Sequence, residues 1–264
     1  MAVDRDSPSQ SGVWRSALNA VARVRQHREA INATVVSIMD RDSWSANTDN
    51  IVVVDSRRRE LCWVPRDLWS SVVGDRINAA YAKGGHEALR ASLRELGLPV
   101  AASLVLLRSA VERALADLRI TVPVARTRRY WYPATPVSRL ADGAKLVVFE
   151  APQETLEDER IHQWIGARRS ADHPAPRLPD LDRIERQQIL VRRLLQEGFA
   201  FSRVLEDSEL VSVSDQHVVG RLAGVRADWT MRVVTAVEPA TIAEKQVLIP
   251  RRGVIARLLR RSAP

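Results

Sequence analysis

The sequence has little that could crosslink it or carry it across a membrane. It contains a single cysteine, Cys62, which excludes a disulfide-stabilised scaffold. Cys62 lies in an alternating apolar stretch, 61–64, where a thiol is expected to be a small core side chain rather than a nucleophile. A membrane-spanning helix needs about 20 mostly apolar residues. The longest apolar runs, such as 51–54 and 101–107, are much shorter, so no transmembrane helix is predicted.

Motifs of the common nucleotide, metal and hydrolase sites are also absent. There is no GxGxxG loop, no GxxxxGK[ST] loop and no GxSxG elbow, so dinucleotide binding, P-loop phosphate binding and the serine hydrolase fold have no sequence support. The five histidines are scattered without a His-x-x-x-His pair, which gives no zinc site. A proline-rich stretch, 171–179, precedes a long helical segment where a helix-turn-helix would need a tight turn.

What is present is typical of a soluble globular protein. The chain has 264 residues, 45% hydrophobic and 27% charged, which suits one large domain or two small ones. Forty Lys and Arg against 32 Asp and Glu give a net charge of +8, with an isoelectric point near 10.6. Such a balance favours an anionic partner: nucleic acid, lipid headgroups or a phosphorylated substrate.

The two ends of the chain bear on localisation. Residues 13–28 carry arginines at several positions and lack the continuous apolar core of a secretory signal, so the chain as written is expected to be cytoplasmic or peripheral. Residues 249–261 carry five arginines around Val254, Ile255, Leu258 and Leu259. They are interpreted either as a basic solvated tail or as a short amphipathic helix that contacts anionic lipid.

Hydrophobic periodicity predicts alternating strands and helices. Arg57, Arg58 and Arg59 fit the exposed turn of an antiparallel hairpin, Gly84 and Gly85 are expected to interrupt a helix, and 125–144 is expected to be a loop carrying aromatic side chains. The predicted strands are 34–39, 51–55, 60–64, 120–124 and 145–149, and the predicted helices are 16–29, 77–96, 109–118, 156–168 and 180–197.

This order predicts an α/β fold with a mixed β-sheet flanked by helices. We expect an N-terminal tail and polar helix over residues 1–30 and the main domain over 31–200. Residues 201–264 are expected to form a β/α extension that completes the same domain and ends in a basic tail.

Charged side chains gather where the predicted strands end. Asp40 follows the first strand, Asp49 precedes the second, and Arg66 and Asp67 follow the third. Ligands of α/β proteins bind at such strand ends, so these side chains are expected to share one cleft. Farther on, Arg183 and Gln187 lie on one face of a helix near its start, which favours an anion site. For each arginine taken singly, a surface ion pair is the competing interpretation.

Four segments in order resemble the LytR-CpsA-Psr family of cell-wall phosphotransferases. Each segment is weak alone, and the order makes the resemblance specific over most of 35–198. The segments are 47–54, similar to the family's Ser-Asp-Thr segment before a strand; Val64-Pro65-Arg66-Asp67, similar to Ile-Pro-Arg-Asp; 76–85, similar to Lys-Ile-Asn-x-Ala-Tyr-x-x-Gly-Gly; and 182–188, similar to the Arg-x-x-Arg-Gln-Gln helix.

The resemblance implies a fold, a reaction and a set of site residues. Family members enclose an apolar tunnel for a polyprenyl chain, and they transfer a glycosyl phosphate from a polyprenyl-pyrophosphate-linked glycan to a cell-wall hydroxyl with Mg²⁺. They act outside the cytoplasmic membrane. By motif matching, Arg66, Arg168, Arg183 and Gln187 would bind the pyrophosphate; Asp49 would hold Mg²⁺ or activate the acceptor; Asp40 would be a second acidic residue; Asp67, Asn78 and Tyr81 would support the site's shape.

Departures from the family pattern leave the activity open. Gly166 stands where the first arginine of an Arg-x-Arg pair is expected, and Asn50 replaces a threonine. Because one preorganised phosphate donor is worth roughly 10²–10³ in rate, the alternative is a catalytically impaired lipid-pyrophosphate-binding or regulatory protein of cell-wall polymer assembly. A third hypothesis, which the sequence supports less, is a basic nucleic-acid-binding protein.

Overall fold

A computed structural model describes residues 33–39, 47–98, 100–135, 140–172, 179–205, 211–214, 217–234 and 237–250. The predicted polar helix 16–29 and nearly all of the stretch 249–261 lie outside these residues. No helix among them is long and apolar enough to cross a membrane.

Strands and helices alternate along much of the chain. The strands are β1 (Ala33–Met39), β2 (Thr48–Asp55), β3 (Glu60–Val64), β4 (Trp69–Ser70), β5 (Asp75–Arg76), β6 (Ala102–Leu107), β7 (Ile120–Pro123), β8 (Arg128–Pro133), β9 (Ala144–Phe149), β10 (Gln153–Leu156), β11 (Arg169–Ser170), β12 (Val211–Val213), β13 (Thr230–Val233), β14 (Val237–Ile242) and β15 (Lys245–Pro250). The α-helices are α1 (Ala80–Glu95), α2 (Arg108–Leu115), α3 (Asp158–Gly166), α4 (Pro179–Gln196) and α5 (His217–Leu222); 3₁₀-helices cover Ile77–Ala79, Leu140–Asp142 and Phe201–Leu205.

A six-stranded sheet of order β12-β6-β1-β2-β3-β13 forms the centre. β1 runs parallel to β6, and β3 runs parallel to β13, whereas β1–β2, β2–β3 and β6–β12 are antiparallel. The predicted mixed sheet is confirmed. β12 and β13, which come from the C-terminal part of the chain, pair with the strands of the main domain.

The predicted hairpin joins β2 to β3, and its turn is fixed by local chemistry. An oxygen of the Asp55 carboxylate accepts hydrogen bonds from the backbone N–H groups of Arg57 and Arg58, both at 3.0 Å. Short side-chain-to-backbone bonds of this kind stabilise tight turns. The turn leaves β2 and β3 in a register that pairs Ile51 with Val64.

Helices cover both faces of the sheet, because successive strand residues point to opposite sides. Val54, Leu61 and Trp63 belong to a core shared with α2, α3 and α4. Ile51 and Val64 belong to a second core that includes residues of α1. The result is the layered arrangement of helices on a mixed sheet that the alternating pattern predicts.

The glycine pair interrupts α1 as predicted. Gly84 has φ −162° and ψ 27°, and Gly85 has φ 58° and ψ −151°. The positive φ at Gly85 favours glycine, which has no Cβ to clash. The break redirects the chain so that the buried Leu89 and Leu93 pack into the second core.

Two predictions for the middle of the chain are wrong. The expected loop 125–144 contains β8, because its backbone pairs with β9 on one side and β11 on the other. The expected helix 156–168 is shorter at both ends, since Leu156 pairs with Ile120 in a two-stranded sheet and α3 ends at Gly166. The residues after α3 are therefore extended, which decides where Arg168 lies.

Candidate functional site

Asp49 and Arg66 come together at one edge of the central sheet. Asp49 lies near the start of β2 and Arg66 follows β3, so the antiparallel hairpin brings them to the same end. The Arg66 guanidinium forms an ion pair with the Asp49 carboxylate, and the two side chains are 13% and 23% exposed. The strand-end cleft expected from the sequence therefore contains at least this pair.

Arg183, one turn into α4, reaches the same place. Its Nη2 donates to the backbone carbonyl of Asp49 at 2.8 Å, and its Nη1 lies 3.8 Å from the Asp49 carboxylate. The Arg183 side chain is 3% exposed. Its charge is thus held firmly beside Arg66 by the start of β2.

Asp180 was not singled out from the sequence, yet it holds this cluster together. Its carboxylate lies 2.6 Å from Arg183 Nη2 and accepts a hydrogen bond from the backbone N–H of Arg66 at 2.8 Å. The available signal was its position in the first turn of α4, three residues before Arg183, where a carboxylate is favoured by the helix dipole and by i,i+3 pairing.

Asp67 anchors the rest of the cluster. Arg168 Nη1 lies 3.5 Å from the Asp67 carboxylate and Arg76 Nη1 lies 3.7 Å from it. Arg168 can reach Asp67 because it follows the end of α3 in extended backbone. At 36% exposure its side chain is more open than that of Arg66 or Arg183.

The site has more positive charge than its aspartates neutralise. Four arginines (66, 76, 168 and 183) surround three aspartates (49, 67 and 180). Burial, and then the charges of Arg168 and Arg183, lower the pKa of Arg66 to about 10. Burial and the charge of Arg183 also lower the pKa of Arg168. A bound anion would relieve this mutual repulsion.

Asn78 and Tyr81 lie behind the site. The Asn78 backbone N–H donates to the Arg66 carbonyl at 3.2 Å, and the Asn78 carbonyl accepts from the Thr48 hydroxyl at 3.4 Å. Tyr81 packs against the second core, with its ring edge-on to His86 at 5.2 Å between centroids. Asn78 thus fixes the backbone of Arg66, while Tyr81 belongs to the packing of α1.

An apolar cavity adjoins the arginine cluster. Its floor is the α4-side face of the sheet, and its walls come from α2, α4 and the segment that follows α4. The volume of the cavity is about 160 Å³. The lining residues are Ile38, Asn50, Val52, Val54, Leu61, Trp63, Leu106, Val111, Leu115, Ile165, Gln187, Leu190, Val191, Leu194, Phe199, Phe201, Val204, Leu205, Leu222 and Val225.

Two polar residues of the cavity lining adjoin the charged cluster along the chain. Asn50 follows Asp49 in β2, and Gln187 lies one turn after Arg183 in α4. Gln187 Nε2 donates to the Ile165 carbonyl at 2.9 Å. The side-chain oxygens of Asn50 and Gln187 are buried without a hydrogen-bond partner. Such orphaned acceptors would take a hydrogen-bond donor, such as a sugar hydroxyl, rather than a phosphate oxygen.

Arg186 shares a helix with Arg183 but serves the core. Its guanidinium donates to the carbonyls of Trp164 and Ala167 and lies 4.3 Å from the centre of the Tyr130 ring. The Arg186 carbonyl in turn accepts from the Trp164 indole at 2.7 Å. These contacts fasten α4 to α3, which sets the position of Arg183 relative to Arg168.

Gly166, the departure noted in the sequence, ends α3 beside Tyr132. A Cβ added at this position would lie 3.4 Å from the Tyr132 hydroxyl, and the backbone there is outside the left-handed region. A side chain at 166 is therefore sterically acceptable if Tyr132 yields slightly. Arg108 also contacts this hydroxyl, to which its Nη2 donates at 3.5 Å.

The described residues offer no group of three or more His, Cys, Asp or Glu side chains that could hold a metal ion. Asp49 supplies one carboxylate, and the partners found for it are arginines. Asp40, the second acidic residue predicted from the sequence, lies outside the described residues. The Mg²⁺ prediction therefore stays a prediction.

Fold and site together define an α/β protein in which a buried arginine cluster adjoins an apolar cavity. A family model described as the LytR_cpsA_psr family matches residues 2–219. The chain belongs to this family, as its motif order predicts.

Solved structures agree on the fold. Over 87% of the chain, the match to a Streptococcus agalactiae protein has a TM-score of 0.62 at 17% identity and covers 85% of that chain. A structure of TagT bound to LIIa-WTA gives 0.60 at 16% identity with 89% of its chain covered, and Bacillus subtilis TagU gives 0.53 at 16% with 95% covered. No curated protein matches the chain.

Proposed function

We propose that this protein binds a polyprenyl-pyrophosphate-linked glycan and transfers its glycosyl phosphate to a hydroxyl group of the cell wall. The observation that carries the proposal is that two residues lining the apolar cavity adjoin the arginine cluster, since Asn50 follows Asp49 in β2 and Gln187 lies one turn after Arg183 in α4. A polyprenyl chain fits the first part of this surface and a pyrophosphate fits the second. TagT, a structural neighbour with a bound WTA ligand, supports a cell-wall glycopolymer as the glycan.

In the proposed reaction, an oxygen of the acceptor hydroxyl attacks the phosphorus that carries the glycan. A new P–O bond forms, the bridging P–O bond to the second phosphate breaks, and polyprenyl phosphate leaves. Phosphoryl transfer needs charge stabilisation and positioning more than covalent help from the protein. Arg66, Arg168 and Arg183 would hold the phosphate oxygens through charge-assisted hydrogen bonds.

Asp49 would receive the proton of the acceptor hydroxyl. Its contacts with Arg66 and Arg183 keep the carboxylate at the phosphate end of the cavity. We also propose that Mg²⁺, bound with Asp49 as one ligand, supplies further neutralisation of phosphate charge. No step above depends on it.

The test measures turnover and bound lipid on the same preparation. Purified full-length protein is incubated with a short-chain polyprenyl pyrophosphate, with and without Mg²⁺. Water takes the place of the acceptor hydroxyl, so attack on the terminal phosphorus releases inorganic phosphate, which is followed while bound lipid is extracted and weighed by mass spectrometry. Arg168→Ala is the informative variant, because Arg168 is the most exposed of the three arginines and its loss leaves little buried charge unpaired. Arg192→Ala, an exposed arginine of the same helix as Arg183, is the matched control.

The proposal predicts turnover that is lost in Arg168→Ala and kept in Arg192→Ala. Bound lipid without turnover in the wild type would favour the lipid-pyrophosphate binder over the enzyme. The absence of an arginine at Gly166 would then explain the lost activity. Absence of both bound lipid and turnover in the wild type would contradict the transferase and the lipid-pyrophosphate binder alike.

A further inference from the structure

A second surface stands out on the three-stranded sheet formed by β11, β8 and β9. Val72, Trp131 and Leu146 are the large apolar side chains that are exposed in the described part of the chain, and Trp131 and Leu146 face each other across β8 and β9. Trp131 is 45% exposed and Leu146 is 48% exposed. Exposed apolar side chains that lie side by side are candidates for a contact surface, whereas single exposed ones are ordinary.

The strand alternation explains how the pair comes to be outside. Tyr130 and Tyr132 point inward, 2% and 8% exposed, so Trp131 between them must point outward. Leu146 has the same relation to the buried Val147 on β9. The outward orientation of Trp131 and Leu146 is therefore fixed by the burial of their neighbours in the strands.

Two arginines flank the apolar pair on the same face. Arg169 of β11 lies directly opposite Trp131, and Arg129 lies two residues before it on β8. Both are exposed, and within the described part of the chain neither guanidinium forms an ion pair. Asp172 lies at the margin, where its carboxylate accepts the backbone N–H of Arg129 at 3.1 Å.

The combination identifies the chemistry of the partner. Trp is favoured at the boundary between lipid headgroups and acyl chains, with aliphatic side chains beside it and arginines paired to phosphates. A sugar would need hydrogen-bond acceptors as well as donors, whereas Leu146 and its half-exposed neighbour Val148 offer neither. We propose that this face, named here the Trp131 face, docks on an anionic lipid bilayer.

The position of the face agrees with this role. Arg168 of the arginine cluster and Arg169 of the Trp131 face are consecutive residues, so the Trp131 face and the candidate site lie on opposite sides of the same short stretch of extended backbone. In this respect the inference rests on the proposed function, because a polyprenyl chain has to pass from a bilayer into the cavity. The net charge of +8 adds a general attraction to anionic lipid.

The test uses the full chain and vesicles that contain no substrate. Binding is measured by co-sedimentation with vesicles of phosphatidylglycerol and phosphatidylcholine and with vesicles of phosphatidylcholine alone. The variants are Trp131→Ser with Leu146→Ser, and Arg129→Gln with Arg169→Gln. The matched control is Arg57→Gln with Arg58→Gln, which removes the same charge from the distant β2–β3 turn.

The expected result is binding to the anionic vesicles that weakens at least about tenfold in both variants of the Trp131 face and by much less in the control. Equal affinity in all variants, or loss of binding in the control to the same extent, would show that charge alone or another segment binds lipid and would overturn the proposal. Absence of binding by the wild type would also overturn it and leave a protein partner for this face.

Failure of this inference is distinguishable from failure of the proposed function. Trp131→Ser with Leu146→Ser should turn over a detergent-dispersed short-chain substrate at the wild-type rate. Arg168→Ala should lose turnover and keep vesicle binding within about threefold, since one of many positive charges is removed.

Discussion

The arginines of the site differ in how completely their charge is already matched. Arg183 is buried between Asp49 and Asp180, whereas Arg168 meets Asp67 at 3.5 Å and remains partly exposed. Removing Arg183 leaves a buried carboxylate without its cation, which is costly for folding. Arg168 can be removed at smaller cost, so its variant reports on binding rather than on stability.

Gly166 provides a gain-of-function prediction. Gly166→Arg restores the side chain that the family pattern places two residues before Arg168, in backbone that accepts it. If turnover is limited by the missing phosphate donor, the rate should rise at least about tenfold, within the effect of a single preorganised donor. Gly166→Ala, which adds the Cβ without a charge, is the control. A rate unchanged in Gly166→Arg would contradict the view that a missing phosphate donor limits turnover.

Cys62 provides a prediction of pH dependence. Burial, together with the nearby Glu60 carboxylate, raises the pKa of the Cys62 thiol to about 12. Since the thiolate is the reactive form, native protein should react very slowly with iodoacetamide at pH 8, and unfolded protein should react at the ordinary rate.

The same shift makes the free energy of unfolding fall as pH rises above about 8.5, where the unfolded thiol ionises before the folded one. Cys62→Ala should remove this part of the pH dependence. Rapid alkylation of the native thiol at pH 8 would contradict the assignment of Cys62 to the core.

At the scale of elements, periodicity predicts strands and helices wherever one face is buried and the other is not. The β2–β3 hairpin and the glycine break in α1 follow from turn chemistry and from the needs of a positive φ, and both are confirmed. β8 was missed because Tyr130, Trp131 and Tyr132 are all aromatic, so the sequence hides an alternation that the burial reveals. Pro133 at its end also suggested a loop, although a strand terminus accepts proline.

The sequence predicts only those residues of the candidate site whose positions follow from a nearby strand end or helix start. Asp49 and Arg66 follow from the hairpin, and Arg183 follows from the start of α4. Asp180 is not predicted from the sequence, because its role in the site depends on a hydrogen bond with the backbone of Arg66, 114 residues away. Arg183 and Arg186 look alike in sequence, and only the packing of α4 on α3 separates a site residue from a core residue.

Arg186 gives the corresponding prediction for α4. Arg186→Met removes the cation that is bonded to the Trp164 and Ala167 carbonyls and lies 3.7 Å from Asp182. Asp182 keeps Arg128 as its cation, but the two buried carbonyls lose their donor, so the free energy of unfolding should fall by about 1–3 kcal/mol. Urea denaturation measures it, with the exposed Arg192→Met as a control expected to stay within about 0.5 kcal/mol. A small loss in Arg186→Met would contradict the role given to this residue.

At the scale of the molecule, the sheet separates two cores, and the core shared with α2, α3 and α4 contains a cavity. That cavity is lined by Asn50 and Gln187, which adjoin the arginine cluster along the chain, so we expect one ligand with an apolar tail and an anionic head to use both. Each buried methylene contributes about 0.8 kcal/mol, so a prenyl chain should raise affinity well beyond that of the headgroup alone. A bulky side chain in the cavity should remove this gain and leave headgroup binding intact.

The most direct measurement compares the affinities of inorganic pyrophosphate and a twenty-carbon prenyl pyrophosphate by calorimetry. The wild type should bind the prenyl compound at least about 100-fold more tightly. Val191→Trp, which fills the cavity from α4, should lose that difference, and Val72→Trp at an exposed turn should keep it. Equal affinity of the wild type for the two compounds would contradict the account, because the cavity would then have no part in binding.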